Sequence, residues 1–407
     1  MENIVRYFEQ NSTTGTLIIL TAIACVGSVI GKIRIKSFSL GIVAVLLIGM
    51  VAGVATDKLG IVLNGQMTSI LKDLGLIMFV YAVGLQVGPS FFSGFKRGGL
   101  MLNMQAVAIV VLGIVITIII ALVGEESLDT MAGIYSGAIS STPGLSAAQE
   151  AVKNVGTGSP EAVVAGYALT YPIGIIIPIV CCVLIRRICN VRLDDESQQN
   201  NLAAASSSTT CPSKKRNTTG TTILLVFAGI LIGLAIGSIS IPLEIKGIKI
   251  PFSLGNTGGA LVSAIAISHI GNKRGWIDSS VTNSNGIALF REFGVTIFLA
   301  LVGLSSGCNF LAITALDGVK WLCYGTIIAI LPTLIVGLVA RFFHKTNYFT
   351  LMGLIGGATT DTPALAYANN MASNNADGVP ATAYASVYPL TVFLRILTAQ
   401  LLVVFMA

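Results

Sequence analysis

Two stretches of this sequence carry the same chemistry. GAISSTPGLSAA begins at Gly137 and GATTDTPALAYA at Gly357. Each places Thr-Pro, flanked by small and hydroxylated residues, inside a long apolar run. Proline removes a backbone donor and disfavours helix at the residue before it, so Thr142-Pro143 and Thr362-Pro363 predict breaks in two membrane-embedded segments. A break exposes the N–H groups at the start of a half-helix, where the positive end of the helix dipole favours an anionic group. The hydroxyls of Ser140, Ser141, Thr142, Thr359, Thr360 and Thr362 add further hydrogen-bonding groups beside Pro143 and Pro363. Such a pair of breaks predicts a binding site for a small carboxylate.

Three further side chains are candidates for that site. Asp361 stands where the first stretch has Ser141. A carboxylate at membrane depth costs about 2.5–3.5 kcal/mol even on the lenient scale. It would bind a substrate ammonium or a coupling Na⁺ or H⁺, unless it is a solvated loop residue. Arg395 lies inside the apolar run LTVFLRILTAQLL; it would fork onto a substrate carboxylate or pair with a carboxylate such as Asp361. Gln86 interrupts GLQVG as a candidate polar contact. The glycines of GLQVG and GLSSG at four-residue spacing predict close helix packing. Gln149-Glu150 and Asn369-Asn370 follow the two breaks and are placed along the same cavity. Lys72-Asp73 and Arg291-Glu292 read as interface anchors, and Tyr171-Pro172 and Tyr388-Pro389 as kinks.

The elements that position these residues follow from composition. The 407 residues are 54% hydrophobic and only 10% charged, with a mean hydropathy of +0.85. Soluble domains carry about 25% charged residues, and roughly 20 apolar residues cross a bilayer. About a dozen apolar segments therefore predict an all-α polytopic membrane protein. The net charge of +6 is read against the positive-inside rule rather than as a nucleic-acid surface. The seven Cys and two His show no metal-ligand spacing, and no cofactor is expected beyond a coupling H⁺ or Na⁺. There is no phosphate-binding Walker loop, and no serine has a plausible histidine partner, so the chain is not read as an enzyme.

The chain is a duplication. FSLG occurs at 38–41 and 252–255, NGQMTSILKDLG (64–75) aligns with NSNGIALFREFG (283–294), and YALTYP (167–172) with YASVYP (384–389). With the Thr-Pro steps these form an ordered series at offsets of 214 to 220 residues, which predicts an internal repeat. The expected domains are a first membrane repeat, 1–192, a polar cytoplasmic linker, 193–220, and a second, inverted repeat, 221–407. Lys32, Arg34, Lys36, Lys96, Arg97, Arg186, Arg187 and Arg192 assign their loops to the cytoplasm, while Glu125, Glu126 and Asp129 suit the outside. Five crossings per half satisfy these charges if each Thr-Pro stretch is a re-entrant hairpin. An odd number of crossings makes the halves antiparallel, an elevator-type arrangement with both termini outside.

GLIMFVYAVGLQVGPSFF (75–92), the two hairpins and YALTYP together resemble the bacterial aspartate:alanine exchanger family. Its members carry two copies of an antiporter duplication domain. The resemblance covers both membrane halves and implies an exchanger of amino acids or related carboxylates in a bacterial inner membrane. Family members often carry paired regulatory domains between the halves. About thirty polar residues stand there in this chain, which puts such regulation in doubt. The combined expectation is an alternating-access antiporter of small amino acids or dicarboxylates, its partners the lipid bilayer and a second copy in a homodimer, with no nucleic acid. The rival expectation is a cation- or proton-coupled antiporter or channel with no organic substrate.

Overall fold

The computed structural model describes residues 12–35, 38–39, 41–91, 99–156, 158–192, 196, 219–245, 248–253, 255–274, 285–311, 315–372 and 378–406. The described residues form fourteen helices and two short antiparallel ribbons. In chain order these are α1 (Thr13–Gly31), β1 (Arg34–Ile35), β2 (Phe38–Ser39), α2 (Val43–Lys58), α3 (Gly65–Phe91), α4 (Gly99–Gly124), α5 (Leu128–Ala138), α6 (Thr142–Val155) and α7 (Pro160–Ile188). After the linker come α8 (Thr219–Gly237), β3 (Ser240–Ile245), β4 (Ile248–Ser253), α9 (Gly255–Lys273), α10 (Asn285–Leu311), α11 (Ala315–Phe342), α12 (Tyr348–Ala358), α13 (Thr362–Ala372) and α14 (Val379–Met406). The ribbons depart from the all-α expectation. Ile35 pairs with Phe38, and Ile245 with Ile248.

Among the described residues seven helices are long and apolar enough to span a bilayer: α1, α3, α4, α7, α10, α11 and α14. The chain is a multi-pass membrane protein. The expected segments at α2, α8 and α9 form helices, of which α2 and α9 fall short of that measure and α8 carries the apolar stretch Ile223–Gly237. α2 has only 16 residues, and α9 is rich in glycine, serine and threonine.

Packing crosses between the halves. α2 lies on α10 and α9 on α3, while α3 and α10 pack on each other. The close approach relies on the predicted glycines. Gly84 and Gly88 face Ala264 and Ser268 of α9, and Gly303 and Gly307 face Leu46 and Met50 of α2. The Ser268 hydroxyl donates to the Leu85 carbonyl at 2.8 Å. Within the halves, α5 packs on α7 and α12 on α14. The largest core cluster gathers Val80 and Val83, Leu299 and Val302, Leu145 and Ala148, Tyr167 and Val392, and within it α6 packs against α5, α7, α9 and α14. Large apolar side chains of α1, α4, α8 and α11 face outward, as lipid contact requires.

The helix breaks fall where Thr-Pro predicts. α5–α6 and α12–α13 are two helical hairpins with one-turn tips. Their bases lie at opposite ends of α4. At one end, the Gln105 amide meets His344 Nδ1 at 3.1 Å, three residues before the Asn347 cap of α12. At the other, Glu126 accepts from Lys320 Nζ at 2.7 Å, one residue before the Ser127 cap of α5. The positions are about 30 Å apart at 1.5 Å per helical residue.

Candidate functional site

Each hairpin turns by the same device. Ser140 and Thr360 adopt left-handed backbone, φ 50° and 55°. In the first hairpin the amides of Ser140 and Ser141 donate to Gly137 and Ser136, both at 2.9 Å. In the second, Thr360 and Asp361 donate to Gly357 and Gly356 at 3.2 and 2.8 Å. This is the paired closure of a Schellman motif, usually built with glycine at the left-handed position. The next residue, Ser141 or Asp361, opens the second helix at once. Proline at the second position of α6 and α13 tolerates this because the first-turn amides have no helical acceptor.

A β-branched residue in left-handed backbone is strained, by about 1–2 kcal/mol, and such strain gathers at functional sites. The Thr360 hydroxyl has no hydrogen-bond partner, so Thr360→Gly removes strain without removing a bond. Glycine's extra unfolded-state entropy offsets part of the gain. Thermal unfolding in detergent is expected to show a net stabilisation of about 1 kcal/mol; a lower unfolding temperature would contradict the strain account.

The two tips touch. Ser140 Oγ donates to the Thr359 carbonyl at 3.1 Å. Ser141 Oγ accepts from the Gly144 amide at 3.1 Å, capping α6, and Thr142 Oγ1 meets the Tyr167 hydroxyl at 3.0 Å. Ser140, Ser141, Thr142 and Pro143 are all buried. The second tip is laid out differently. Thr359 is buried and its hydroxyl donates back to Ile355 at 2.8 Å, but Thr362 and Pro363 are exposed. Tyr384, the counterpart of Tyr167, has a buried hydroxyl with no partner. The Thr–Tyr contact that fastens the first hairpin is thus open in the second.

Asp361 is 1% exposed, which corrects any solvated-loop reading. The Ala364 amide acts on it but does not close to hydrogen-bond geometry, and among the described residues neither carboxylate oxygen has a partner. Arg395, also 1% exposed, is not its ion-pair partner; among the described residues no carboxylate lies within 4.0 Å of the guanidinium. Arg395 instead bridges the hairpins. Nη1 donates to the Tyr135 hydroxyl of α5 at 2.8 Å and Nη2 to the Ala358 carbonyl of α12 at 3.0 Å. That carbonyl is one of the orphan acceptors at a helix C-terminus, where the dipole favours a cation.

Gln86 stands apart from the tips and accepts from Arg291 Nη1 at 3.0 Å. Arg291 also meets Glu292 at 2.9 Å. Lys72 and Asp73, by contrast, line a cavity of about 190 Å³ with Ser146, Gln149, Glu150 and Lys153. Glu150 accepts from the Asn256 amide at 2.6 Å and so caps α9. The cavity runs along α6 without reaching the tip residues, and Asn369-Asn370 do not line it.

Tyr135 and Tyr167 escaped the sequence reading as site residues. A signal for Tyr135 was present: its counterpart is Ile355, just as the counterpart of Arg395 is Pro178. Both partners of the bridge depart from the repeat.

The family described as Predicted Permease Membrane Region, abbreviated Asp-Al_Ex, matches residues 19–187 and 225–404. The chain belongs to this family. The two matched stretches hold both hairpins and leave the linker between them. The permease is 30% identical to an uncharacterized transporter of Bacteroides fragilis (strain YCH46), covering 95% of this chain and 96% of that one. It is 28% identical to an uncharacterized transporter of Bacteroides thetaiotaomicron, covering 98% of each. These alignments run over 547 and 555 positions, more than the 407 residues here, so the relatives carry segments that this permease lacks. The permease is a membrane transporter.

Proposed function

We propose that the permease is a secondary active exchanger of small amino acids or dicarboxylates, of which aspartate and alanine are the leading pair. It works by alternating access, with the two hairpin tips forming the substrate site. The observation that carries this reading is the tip-to-tip contact of Ser140 with Thr359, made by hairpins whose bases lie at opposite ends of α4. Irregular backbone at membrane depth persists only where it is buried or lines a cavity, and broken helices meeting at the midplane are how inverted-repeat transporters build their sites.

The reading treats 1–192 and 221–407 as inverted repeats with five crossings and one hairpin each, in an elevator-type arrangement. It sets the linker in the cytoplasm of a bacterial cell, both termini outside, and the outward apolar faces of α1, α4, α8 and α11 against lipid or a second copy in a homodimer. The residues before Ser12 and most of the linker lie outside the described residues, so those assignments rest on charge alone. The unequal tips support a resting state in which the second hairpin is the looser gate. Coupling to H⁺ or Na⁺ belongs to the same proposal. The rival reading, an ion antiporter with no organic substrate, draws on the partnerless Asp361 carboxylate.

The test is replacement of Thr142-Pro143, and separately of Thr362-Pro363, by Ala-Ala. Each variant is expected to stay folded by size-exclusion chromatography and to lose exchange in proteoliposomes. Normal exchange by both would sink the assignment of the site to the tips.

A further inference from the structure

Asp361 is the one place where the two tips differ in formal charge. Its carboxylate is buried and offers about four acceptor positions, none filled by a hydrogen bond. The groups that act on it or on which it acts are the Ala364 amide, the Tyr171 and Tyr384 hydroxyls and the Cys182 thiol. None is a cation. Arg395 is committed to Tyr135 and Ala358, and Arg291 to Gln86 and Glu292. A carboxyl held away from water without a partner is costly as an anion, so it is ionised where a cationic partner arrives from outside. The hydroxyls of Thr360 and Tyr384 also lack partners. Thr362 and Pro363, directly beyond Asp361, are exposed, so the carboxylate lies one residue behind an accessible surface.

We infer that Asp361 receives the α-ammonium group of the transported solute, so that the permease takes zwitterionic amino acids and discriminates against acids that lack the amine. This rests on the exchanger reading and deepens it. An ammonium brings three donors on one centre, matching two carboxylate oxygens and one hydroxyl. The first tip, with Ser141 in this place and no charge, is left to the carboxylate end. A site that presents a buried charge to one polar group rejects the analogue lacking it, because that charge is then unpaired.

The experiment is exchange in proteoliposomes with matched pairs, alanine against propionate and aspartate against succinate, for the wild type, Asp361→Asn and Asp361→Ser. Serine is the first hairpin's own residue at this position and keeps the turn. The wild type is expected to exchange the amino acid of each pair and reject its partner. Both variants are expected to raise the half-saturation concentration for amino acids roughly 30-fold or more, as loss of a buried charge partner does, and to bring each pair toward equality. Three outcomes overturn the inference: wild-type exchange of succinate as readily as aspartate, unchanged amino-acid preference in either folded variant, or variants whose only loss is dependence on Na⁺ or pH. In all three the exchanger reading stands. A wild type that exchanges no member of either pair defeats that reading as well.

Discussion

Gly137→Val is expected to abolish transport and to lower stability by about 3 kcal/mol, the upper end of the overpacking range. The reason is what the new side chain would meet. A Cβ at Gly137 points at the Tyr167 carbonyl oxygen, 2.6 Å away, and at the Thr170 hydroxyl. Backbone cannot step aside as a rotamer can, so α5 must lift off α7. That displacement moves the Schellman turn and pulls Thr142 from Tyr167. Gly357 is the control. Its Cβ also first meets a side chain, that of Val387, but the nearest backbone atom, the Tyr384 carbonyl oxygen, stays 3.0 Å away against 2.6 Å at Gly137. Gly357→Ala is therefore expected to be milder than Gly137→Ala, with thermal unfolding and transport measured on both. Equal effects would show that the hairpins pack alike, and a fully active Gly137→Val would refute the account of α5 against α7.

Loss of Arg395 is expected to be as severe, for a different reason. Arg395→Leu leaves the Ala358 carbonyl buried without its donor, at about 1–3 kcal/mol, and the Tyr135 hydroxyl with only the Thr398 hydroxyl at 3.3 Å. Lysine is no rescue, since a single ammonium does not span two acceptors held by a planar fork. Because the guanidinium joins the hairpins, its loss should lower the maximal exchange rate. Tyr135→Phe should lower it too, and the double variant should be little worse than Arg395→Leu alone, the mark of residues acting as a unit. A substrate-fork role would instead raise the half-saturation concentration in Arg395→Lys and leave Tyr135→Phe near normal. Kinetics of the four proteins separate the two.

The hairpins were legible because proline and glycine leave local marks that no apolar background hides. Thr142-Pro143 and Thr362-Pro363 located both breaks, and the glycines of GLQVG and GLSSG anticipated the contacts of α3 with α9 and α10 with α2. The role of Arg395 was not legible. Its partners are a backbone carbonyl and a tyrosine 260 residues away, and neither carries a charge that pairing rules would single out. Tyr167 was hidden for a similar reason: YALTYP drew attention as a kink, while the fastening of its first tyrosine to Thr142 is a tertiary fact. The ribbon strands Ser240–Ile245 and Ile248–Ser253 were hidden between two apolar helices because their own residues are largely apolar. α2 and α9 fall short of a strong span through short length or small, hydroxylated residues, which suit helix-on-helix packing more than contact with lipid.

The most direct test of the central claim is counterflow. Proteoliposomes holding the full chain are loaded with unlabelled aspartate, alanine, glutamate or succinate in turn, and uptake of the labelled solute is followed. Accelerated uptake with aspartate or alanine inside, abolished by the Thr142-Pro143 replacement, is the predicted result. Vesicles of folded protein that show no acceleration with any of the four, yet carry an ion flux, would contradict it.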